Sequence, residues 1–314
     1  RPPRSTLFPY TTLFRSCNNG GGSASSSRSQ AAGSRISAND LFITATASKT
    51  TVHEQEAILL TYKVYTVVNL RQLYGKMPDL KGFHTQEVEL PQQKTFTLEH
   101  YKGRNYNTTV WSQYVLFPQQ TGKLEIPSIT FDGVVAQQTV SDDPFDAFFN
   151  GGGYVEVKKK ITTPKVVINV QPLPAKPAGF SGAVGEFKLA SSINATDVKT
   201  NDAVTIKLTL SGTGNMKLIG TPEVKFPQDF EIYDPKVTDD YKLTNSGLTG
   251  TKTFEYLAIP RHAGNFTIPA VEFTYFDLKS NSYKTLKTEA YNLKVAKGQG
   301  NADQVISDFT NIGD

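Results

Sequence analysis

From Asp40 onward, apolar and polar residues alternate along the chain, with β-branched and aromatic residues at every second position between turn residues. Alternation with a period of two predicts β-strands that bury one face. No segment keeps a helical period over four turns with a cap at each end, and the best short helix candidate is 143–150. The pattern therefore predicts an all-β chain. The strongest alternation lies at 41–47, 57–67, 109–117, 165–170, 204–210, 253–259 and 291–296.

One residue pattern occurs twice, 142 positions apart, and combines Tyr, Pro, Gly, an Ile-Pro pair and Phe at identical spacing. The match continues upstream, where 56–58 (EAI) corresponds to 202–204 (DAV) and 77–80 (MPDL) to 221–224 (TPEV). Self-similarity at this period predicts two copies of one domain. The first copy contains Tyr114, Pro118, Gly122, Ile126, Pro127 and Phe131, and the second contains Tyr256, Pro260, Gly264, Ile268, Pro269 and Phe273.

The repeated unit fits an immunoglobulin-like sandwich. Tyr opens a strand, Pro ends its pairing because it lacks an N–H, and Gly supplies the turn before a short strand that ends at Ile-Pro. A Tyr near the start of a late strand resembles the tyrosine corner of such sandwiches. We therefore predict two tandem immunoglobulin-like (fibronectin-type) β-sandwich domains, with immunoglobulin and fibronectin strand topologies both left open.

The domain boundaries follow from composition. Residues 6–16, TLFPYTTLFRS, resemble the in-frame translation of a sequencing-library adapter, so 1–16 are predicted to be an artefact. Residues 17–37 are rich in Gly, Ser and Ala and predict a flexible linker. The sandwiches are predicted at 38–172 and 182–297, joined by a Pro-rich linker at 173–181 and followed by a disordered tail at 298–314.

An insertion at 141–153 interrupts the strand pattern of the first predicted sandwich. If Pro144 begins one helical turn, Phe145, Phe148 and Phe149 share an apolar face. This face either packs on its own domain or forms a partner-binding loop, since grouped apolar side chains mark interaction sites. The strand pattern resumes at 154–161, and its three consecutive lysines are expected to protect a sheet edge.

Charge is distributed unevenly along the chain. The net charge is +4, yet five arginines and no acid precede Asp40, and the remainder has 28 basic against 29 acidic residues. That remainder offers no excess charge to phosphates, so nucleic acid is not an expected partner. The single cysteine, Cys17, excludes an internal disulfide, and it lacks the small preceding residues of a lipidation site. No segment reaches the ~20 apolar residues of a membrane helix, so these residues are expected to be soluble.

Catalytic chemistry finds little support. The four histidines are scattered, and 179–183 (GFSGA) lacks the final Gly and the helix of a nucleophile elbow around Ser181. The stretch 211–215 (SGTGN) is predicted to be a turn rather than a phosphate loop, and the acids of 234–240 are predicted to lie in a solvated connection rather than a calcium site. No catalytic residue, cofactor or metal site is predicted.

Three long strings are unlike those of generic sandwich repeats: 39–66 (NDLFITATASKTTVHEQEAILLTYKVYT), 143–160 (DPFDAFFNGGGYVEVKKK) and 254–277 (FEYLAIPRHAGNFTIPAVEFTYFD). Through these strings, residues 41–297 resemble BatD, the oxygen-tolerance family of Bacteroidetes aerotolerance operons. The resemblance implies tandem periplasmic sandwiches, anchored at the inner membrane in the intact protein by a segment outside this chain. The implied partners are operon proteins: von Willebrand factor A-type and tetratricopeptide-repeat proteins and, indirectly, a MoxR-type AAA+ ATPase. It supplies no catalytic residues.

Three functions remain open. A non-enzymatic scaffold would dock partners at a sheet edge or through the Phe145/Phe148/Phe149 loop. A carbohydrate- or surface-binding module would show a row of tyrosines on one sheet face with acids and amides nearby. An enzyme would need a pocket with convergent His or carboxylate side chains. The scaffold is the function that the sequence favours.

Overall fold

A computed structural model describes residues 36–138 and 154–298, and its regular elements in these ranges are strands except for one 3-10 turn at Met216–Leu218. The prediction of an all-β chain with sandwich-like sheets is confirmed. Cys17, the insertion 141–153 and the segments predicted as artefact, linker and tail lie mostly or wholly outside the described residues. No described helix has the length and apolar character needed to cross a membrane.

The first part of the described chain contains eleven strands. They are β1 (Leu41–Ala47), β2 (Thr51–His53), β3 (Ile58–Thr66), β4 (Asn69–Tyr74), β5 (Phe83–Glu87), β6 (Thr97–Tyr101), β7 (Arg104–Pro118), β8 (Gly122–Ile126), β9 (Thr130–Gln138), β10 (Tyr154–Thr162) and β11 (Val166–Gln171).

The second part contains ten more. They are β12 (Phe180–Ile193), β13 (Asp197–Lys199), β14 (Val204–Gly214), β15 (Phe230–Ile232), β16 (Lys236–Thr244), β17 (Gly247–Pro260), β18 (Gly264–Ile268), β19 (Glu272–Asp277), β20 (Ser282–Lys287) and β21 (Tyr291–Ala296). All seven segments with the strongest alternation lie in or largely within strands.

The described residues divide into two compact units. The first holds residues up to Thr51, Leu59–Leu116 and residues from Gly122 to Asn169, and the second holds Val52–Ile58, Phe117–Thr121 and residues from Val170 onward. The boundaries predicted from composition remain predictions.

In the first unit, one sheet has the strand order β1-β3-β7-β5, with β6 also paired to β7. A second sheet of this unit has the order β10-β9-β4. Among the described strands, a further sheet has the order β2-β11-β8. Strand β3 alternates in its first half between buried residues such as Leu60 and Tyr62 and half-buried residues, as expected for a strand with one face on a core. The lysine-rich strand β10 pairs only with β9 among the described strands, in agreement with the predicted edge position.

In the second unit β12 pairs in parallel with β19, and the strands form two sheets. Its large sheet has the order β15-β17-β14-β12-β19-β20, with β16 also paired to β17, and its small sheet has the order β13-β21-β18. Leu208 of β14 lies opposite Phe254 of β17, and both side chains are fully buried in the core.

Two local predictions in the second unit are wrong. The stretch 211–215 is not a turn, because β14 continues through Gly214 and pairs with both β12 and β17. Its glycines permit close approach of neighbouring backbones, which a sequence pattern reads as a break. The acids of 234–240 are not simply a solvated connection, because β16 begins at Lys236 and Asp239 lies 3.3 Å from Lys252 Nζ.

Candidate functional site

The structure places the repeated sequence pattern at the same points of both units. Pro118 and Pro260 are the last residues of β7 and β17, Gly122 and Gly264 begin β8 and β18, and Ile126 and Ile268 end these short strands. Phe131 and Phe273 are buried in β9 and β19, and the two prolines that follow the isoleucines, Pro127 and Pro269, lie just after β8 and β18. These residues hold equivalent places in the two units, and most of them serve the fold. The loop residues Pro144, Phe145, Phe148 and Phe149 lie outside the described residues.

The tyrosines of the pattern, Tyr114 and Tyr256, are buried in β7 and β17. Tyr256 donates a hydrogen bond from its hydroxyl to the carbonyl of Pro222, which lies 34 residues earlier in the chain. In a tyrosine corner the hydroxyl reaches back only a few residues. The resemblance to a tyrosine corner therefore does not extend to this bond, which ties β17 to a distant loop.

The hydroxyl of Ser181, which the sequence does not favour as a nucleophile, makes two hydrogen bonds to the backbone. It donates to the carbonyl of Thr274 at 2.6 Å and accepts from the amide of Ala183 at 3.2 Å. These bonds fix the first residues of β12 against β19. Among residues 36–138 and 154–298, no group of three or more His, Cys, Asp or Glu side chains is arranged to hold a metal ion.

The first unit contains a cavity of about 540 Å³ that the sequence analysis missed. Its lining includes Tyr62 of β3 and Trp111, Ser112 and Tyr114 of β7. Met77, Ile129 and Phe131 add apolar surface, and the segment 87–94 lines the cavity with Glu87, Glu89, Gln92 and Lys94. The volume falls within the ~300–1,000 Å³ of small-molecule sites, and the lining combines aromatic rings with several polar and charged side chains.

The repeat explains why a cavity lies in the first unit. Counting from Tyr114 and Tyr256, Ser112 occupies the position that Phe254 has in the second unit. Counting from 56–58 and 202–204, Tyr62 occupies the position of Leu208. In the second unit the facing pair Phe254 and Leu208 fills the core. In the first unit a small hydroxyl side chain replaces the phenylalanine ring, and space remains.

The hydroxyl of Tyr62 is buried and has no hydrogen-bond partner among the described residues. The side chain is only 1% exposed, and its ring contacts those of Tyr114 and Phe131 at centroid distances of 6.3 and 6.2 Å. Burial raises the pKa of this phenol far above its usual value, with a smaller contribution from Tyr114. The group therefore stays neutral and keeps its donor proton. An unsatisfied buried hydroxyl costs about 1–3 kcal/mol, so it is an unusual feature in a purely structural core.

Opposite charges and the only tryptophan of the chain lie at the cavity. Lys94 Nζ is 5.8 Å from the centroid of the Trp111 ring, within range of a cation–π contact. Partial burial raises the pKa of Glu87 and lowers the pKa of Lys94, and the charge of each group partly offsets the shift of the other.

A second feature is the outer aromatic cluster, which consists of Phe42, Tyr65, Tyr101 and Tyr106 on one sheet face. Phe42 and Tyr65 stack with ring centroids 4.9 Å apart, and Tyr65 lies 4.7 Å from Tyr101. Because Tyr62 and Tyr65 are three residues apart in one strand, they face opposite sides of the sheet. Tyr65 and Tyr106 are buried by their neighbours, whereas Phe42 and Tyr101 are half-buried.

Glu99 links the outer aromatic cluster to polar groups. It accepts hydrogen bonds from Lys63, from the hydroxyl of Tyr65 at 3.4 Å and from that of Thr108 at 3.3 Å. The hydrogen bond from Lys63 is the main reason that the pKa of Glu99 lies below its usual value. The face therefore combines aromatic rings with an ionised acid, the combination that the carbohydrate hypothesis requires.

A model of the BatD DUF11-like domain matches residues 45–170 and 191–295, most of the chain. The chain belongs to the BatD family. The residues that line the cavity lie within the first BatD match, as do Tyr65, Tyr101 and Tyr106 of the outer aromatic cluster.

Solved structures match this BatD chain at low sequence identity and with low TM-scores. The adhesin InvE of Yersinia pseudotuberculosis is 11% identical with a TM-score of 0.20, and the match covers 80% of this chain and 59% of InvE. The collagen adhesin CNA of S. aureus is 8% identical with a TM-score of 0.21, covering 83% and 96%. The type II cohesin dyad of ScaA from Acetivibrio cellulolyticus is 8% identical with a TM-score of 0.20, covering 82% and 97%. No curated protein matches the chain significantly.

A sequence difference between the two BatD repeats points to the cavity. Aligning the two copies residue by residue places Ser112 opposite Phe254, a loss of volume at a core position. Trp111 is the more conspicuous residue but lies one position away from this alignment. The burial of Tyr62 without a partner has no sequence signal, because it depends on which groups surround the strand.

Proposed function

We propose that this BatD chain is a non-enzymatic protein-interaction scaffold in the periplasm, acting within an aerotolerance (Bat) envelope complex. Its direct partners would be von Willebrand factor A-type and tetratricopeptide-repeat proteins, with a MoxR-type AAA+ ATPase reached through them. An inner-membrane anchor in the intact protein belongs to the same proposal. Membership of the BatD family supports it, and one structural observation carries it: the edge strand β16.

Strand β16 is nine residues long and pairs only with β17 among the described strands. An unpaired edge presents backbone N–H and C=O groups that another chain can use for strand addition. The exposed side chains of β16 include Val237, which is 42% exposed, and the acids Asp239 and Asp240. This long edge, with an apolar side chain beside charges that discourage self-pairing, suits a specific protein partner.

The test is capture of the partner by the full chain. Bait protein is incubated with envelope extract, and bound von Willebrand factor A-type proteins are identified by mass spectrometry. The Val237→Lys variant places a charge on the β16 edge, and we expect capture to fall about tenfold, a typical loss for an interface hot spot. The matched control is Val167→Lys, because Val167 is 38% exposed but lies on β11, which is flanked by β2 and β8.

A triple Phe145, Phe148 and Phe149→Ala variant runs beside these proteins. Loss of capture in this variant alone would place the contact on the predicted loop and leave the scaffold function standing. Failure of the parent chain to retain any von Willebrand factor A-type or tetratricopeptide-repeat protein would overturn the scaffold function.

A second candidate function is a carbohydrate- or surface-binding module, and the outer aromatic cluster with Glu99 favours it. Half-exposed aromatic rings beside an acid can stack on a sugar face and accept bonds from its hydroxyls. Tyr101→Ala removes a half-buried ring of the outer aromatic cluster that stacks near Tyr65. Under this function the parent chain binds defined glycans on an array and the variant does not; an array without any response contradicts it.

A further inference from the structure

The cavity of the first unit has the properties of a binding site, because its chemistry differs from that of the matching place in the second unit. There, Leu208 and Phe254 meet as two fully buried apolar side chains. In the first unit these positions hold Tyr62 and Ser112, so two hydroxyl-bearing side chains replace two apolar ones. The second unit packs its core without hydroxyls at these two positions, so packing alone does not account for them.

The buried hydroxyl defines one part of that ligand. Tyr62 is almost completely buried, lines the cavity and lacks a hydrogen-bond partner among the described residues. Because the phenol remains protonated, it can donate a proton and accept one. The hydroxyl oxygen has almost no accessible surface, so a ligand atom reaches it only when the side chains that cover it shift. The complementary ligand group is then a neutral hydroxyl or carbonyl oxygen. A ligand made only of hydrocarbon would leave the buried group unsatisfied.

The remaining polar lining defines the rest. Glu87 and Glu89 can accept hydrogen bonds, whereas Lys94 and Gln92 can donate them. Trp111 offers an indole surface of the kind that packs against the C–H face of a ring. Two carboxylates against one ammonium disfavour an anionic ligand on charge grounds. Several hydroxyls on one compact neutral ring satisfy all of these groups together.

We propose that the cavity lined by Tyr62, Ser112 and Trp111 binds a neutral sugar residue. The sugar ring lies against Trp111, and its hydroxyls bond to the acids and to Lys94. One sugar oxygen becomes the partner of the Tyr62 hydroxyl when the side chains that cover this hydroxyl shift. This site deepens the second candidate function, since it assigns a neutral saccharide and a cavity lined by residues other than those of the outer aromatic cluster. It does not depend on the scaffold function.

The test uses Trp111 as its own reporter, because it is the only tryptophan of the chain. The full protein is titrated with cellobiose, maltose and N,N′-diacetylchitobiose, and with glucuronic acid as an anionic comparison. Tryptophan fluorescence and titration calorimetry are measured together. We expect at least one neutral disaccharide to change the fluorescence and release or absorb heat with saturation, and glucuronic acid to bind more weakly.

Three variants locate the site. Tyr62→Phe should weaken binding about tenfold, the ratio expected for one hydrogen bond of ordinary strength. Ser112→Phe, which restores the side chain found at Phe254, should abolish binding by filling the space. Tyr154→Phe is the matched control, since Tyr154 is 66% exposed on β10 and does not line the cavity; it should bind like the parent. Thermal melts verify that each variant is folded.

Other outcomes overturn the proposal in distinguishable ways. Absence of any response from the folded parent to the three neutral disaccharides removes the sugar ligand. Unchanged binding by both Tyr62→Phe and Ser112→Phe would show that the sugar does not bind in the cavity. If Tyr101→Ala then loses binding, the outer aromatic cluster is the sugar site and the second candidate function stands. Equal or tighter binding of glucuronic acid would contradict the proposal that the ligand is a neutral sugar.

Discussion

At the scale of single residues, two buried tyrosines show how one side chain type takes different roles. Tyr256 of the second unit has a hydroxyl that bonds to the Pro222 carbonyl, whereas the Tyr62 hydroxyl has no partner among the described residues. Burial raises the pKa of both phenols. The net effect of a buried hydroxyl on stability depends on whether its hydrogen bond is made. The pair therefore provides a matched experiment within one molecule.

We predict opposite effects for the two Tyr→Phe substitutions. Tyr62→Phe removes an unsatisfied group and should raise the free energy of unfolding by up to about 1–3 kcal/mol, whereas Tyr256→Phe removes a made bond and should lower it by about 1 kcal/mol. Chemical denaturation of both variants measures the difference. Equal destabilisation by both substitutions would show that the Tyr62 hydroxyl is satisfied in solution.

Asp277 couples the second unit to pH. Its carboxylate is 2% exposed, and although burial opposes ionisation, hydrogen bonds from Lys284, the Ser280 side chain and the amides of Lys279 and Ser280 hold its pKa at about 2. A carboxyl whose folded pKa is below its unfolded value of 3.8 stabilises the fold above that value. This stability is lost as the pH falls through the folded pKa.

We therefore predict that stability decreases between about pH 4 and pH 2, with a contribution from Asp277 on the order of 2 kcal/mol. The Asp277→Asn variant should be less stable than the parent at pH 7 and should show a shallower loss in this pH range. Denaturant unfolding at a series of pH values measures both slopes. Parallel curves for the two proteins would contradict the assignment.

At the scale of elements, glycine decides how the strands of the second unit approach each other. Gly212 lies within β14, has a φ of 150° and pairs across the sheet with Gly250 of β17. A Cβ atom at Gly212 would stand 2.0 Å from the carbonyl oxygen of Glu186 on β12. Backbone atoms cannot move aside as a side chain does. The glycine is therefore required by the sheet rather than by a turn.

Gly212→Ala should lower the free energy of unfolding by at least about 2 kcal/mol, because it combines overpacking with a backbone conformation that L-residues avoid. Gly220→Ala is the control, since a Cβ there meets no atom within 4 Å, and it should change stability by less than about 0.5 kcal/mol. Urea unfolding compares them. A tolerated Gly212→Ala would show that β12 and β14 separate easily at this point.

The same elements show the reach of sequence patterns. Period-two alternation located strands such as β1 and β21 correctly, because a strand with one buried face must alternate. The glycines Gly212 and Gly214 predict a turn, because glycine is common in turns. Only their position between β12 and β17 shows that they allow contact between backbones. Likewise, alternation does not show which strand lies at the edge of a sheet. The edge position of β16 follows only from the strand pairing in the structure.

At the scale of the whole molecule, the charge is separated along the sequence. Residues 1–36 carry five arginines and no acid, and the rest of the chain is close to neutral. The isoelectric point of about 8.9 therefore belongs to the N-terminal segment and says little about the two units. Long-range attraction to polyanions follows net charge and weakens with salt.

We predict that a chain beginning at residue 37 has an isoelectric point below 7, because 28 bases then face 29 acids. Any retention of the full chain on heparin at low salt should disappear on truncation. Isoelectric focusing and a heparin column test both statements. Retention of the truncated chain would reveal a basic patch within the units that the net charge hides.

The sequence by itself determined the fold class, the repeat and the family, because alternation and a recurring pattern from Tyr114 to Phe131 are properties of order along one chain. The tertiary structure alone decided the candidate site. Tyr62, Lys94 and Ser112 come from two strands and the segment before β6, and no spacing along the chain brings them together. Burial, pairing and the absence of a hydrogen-bond partner depend on neighbours in space, which is why a core position in one unit became a cavity in the other.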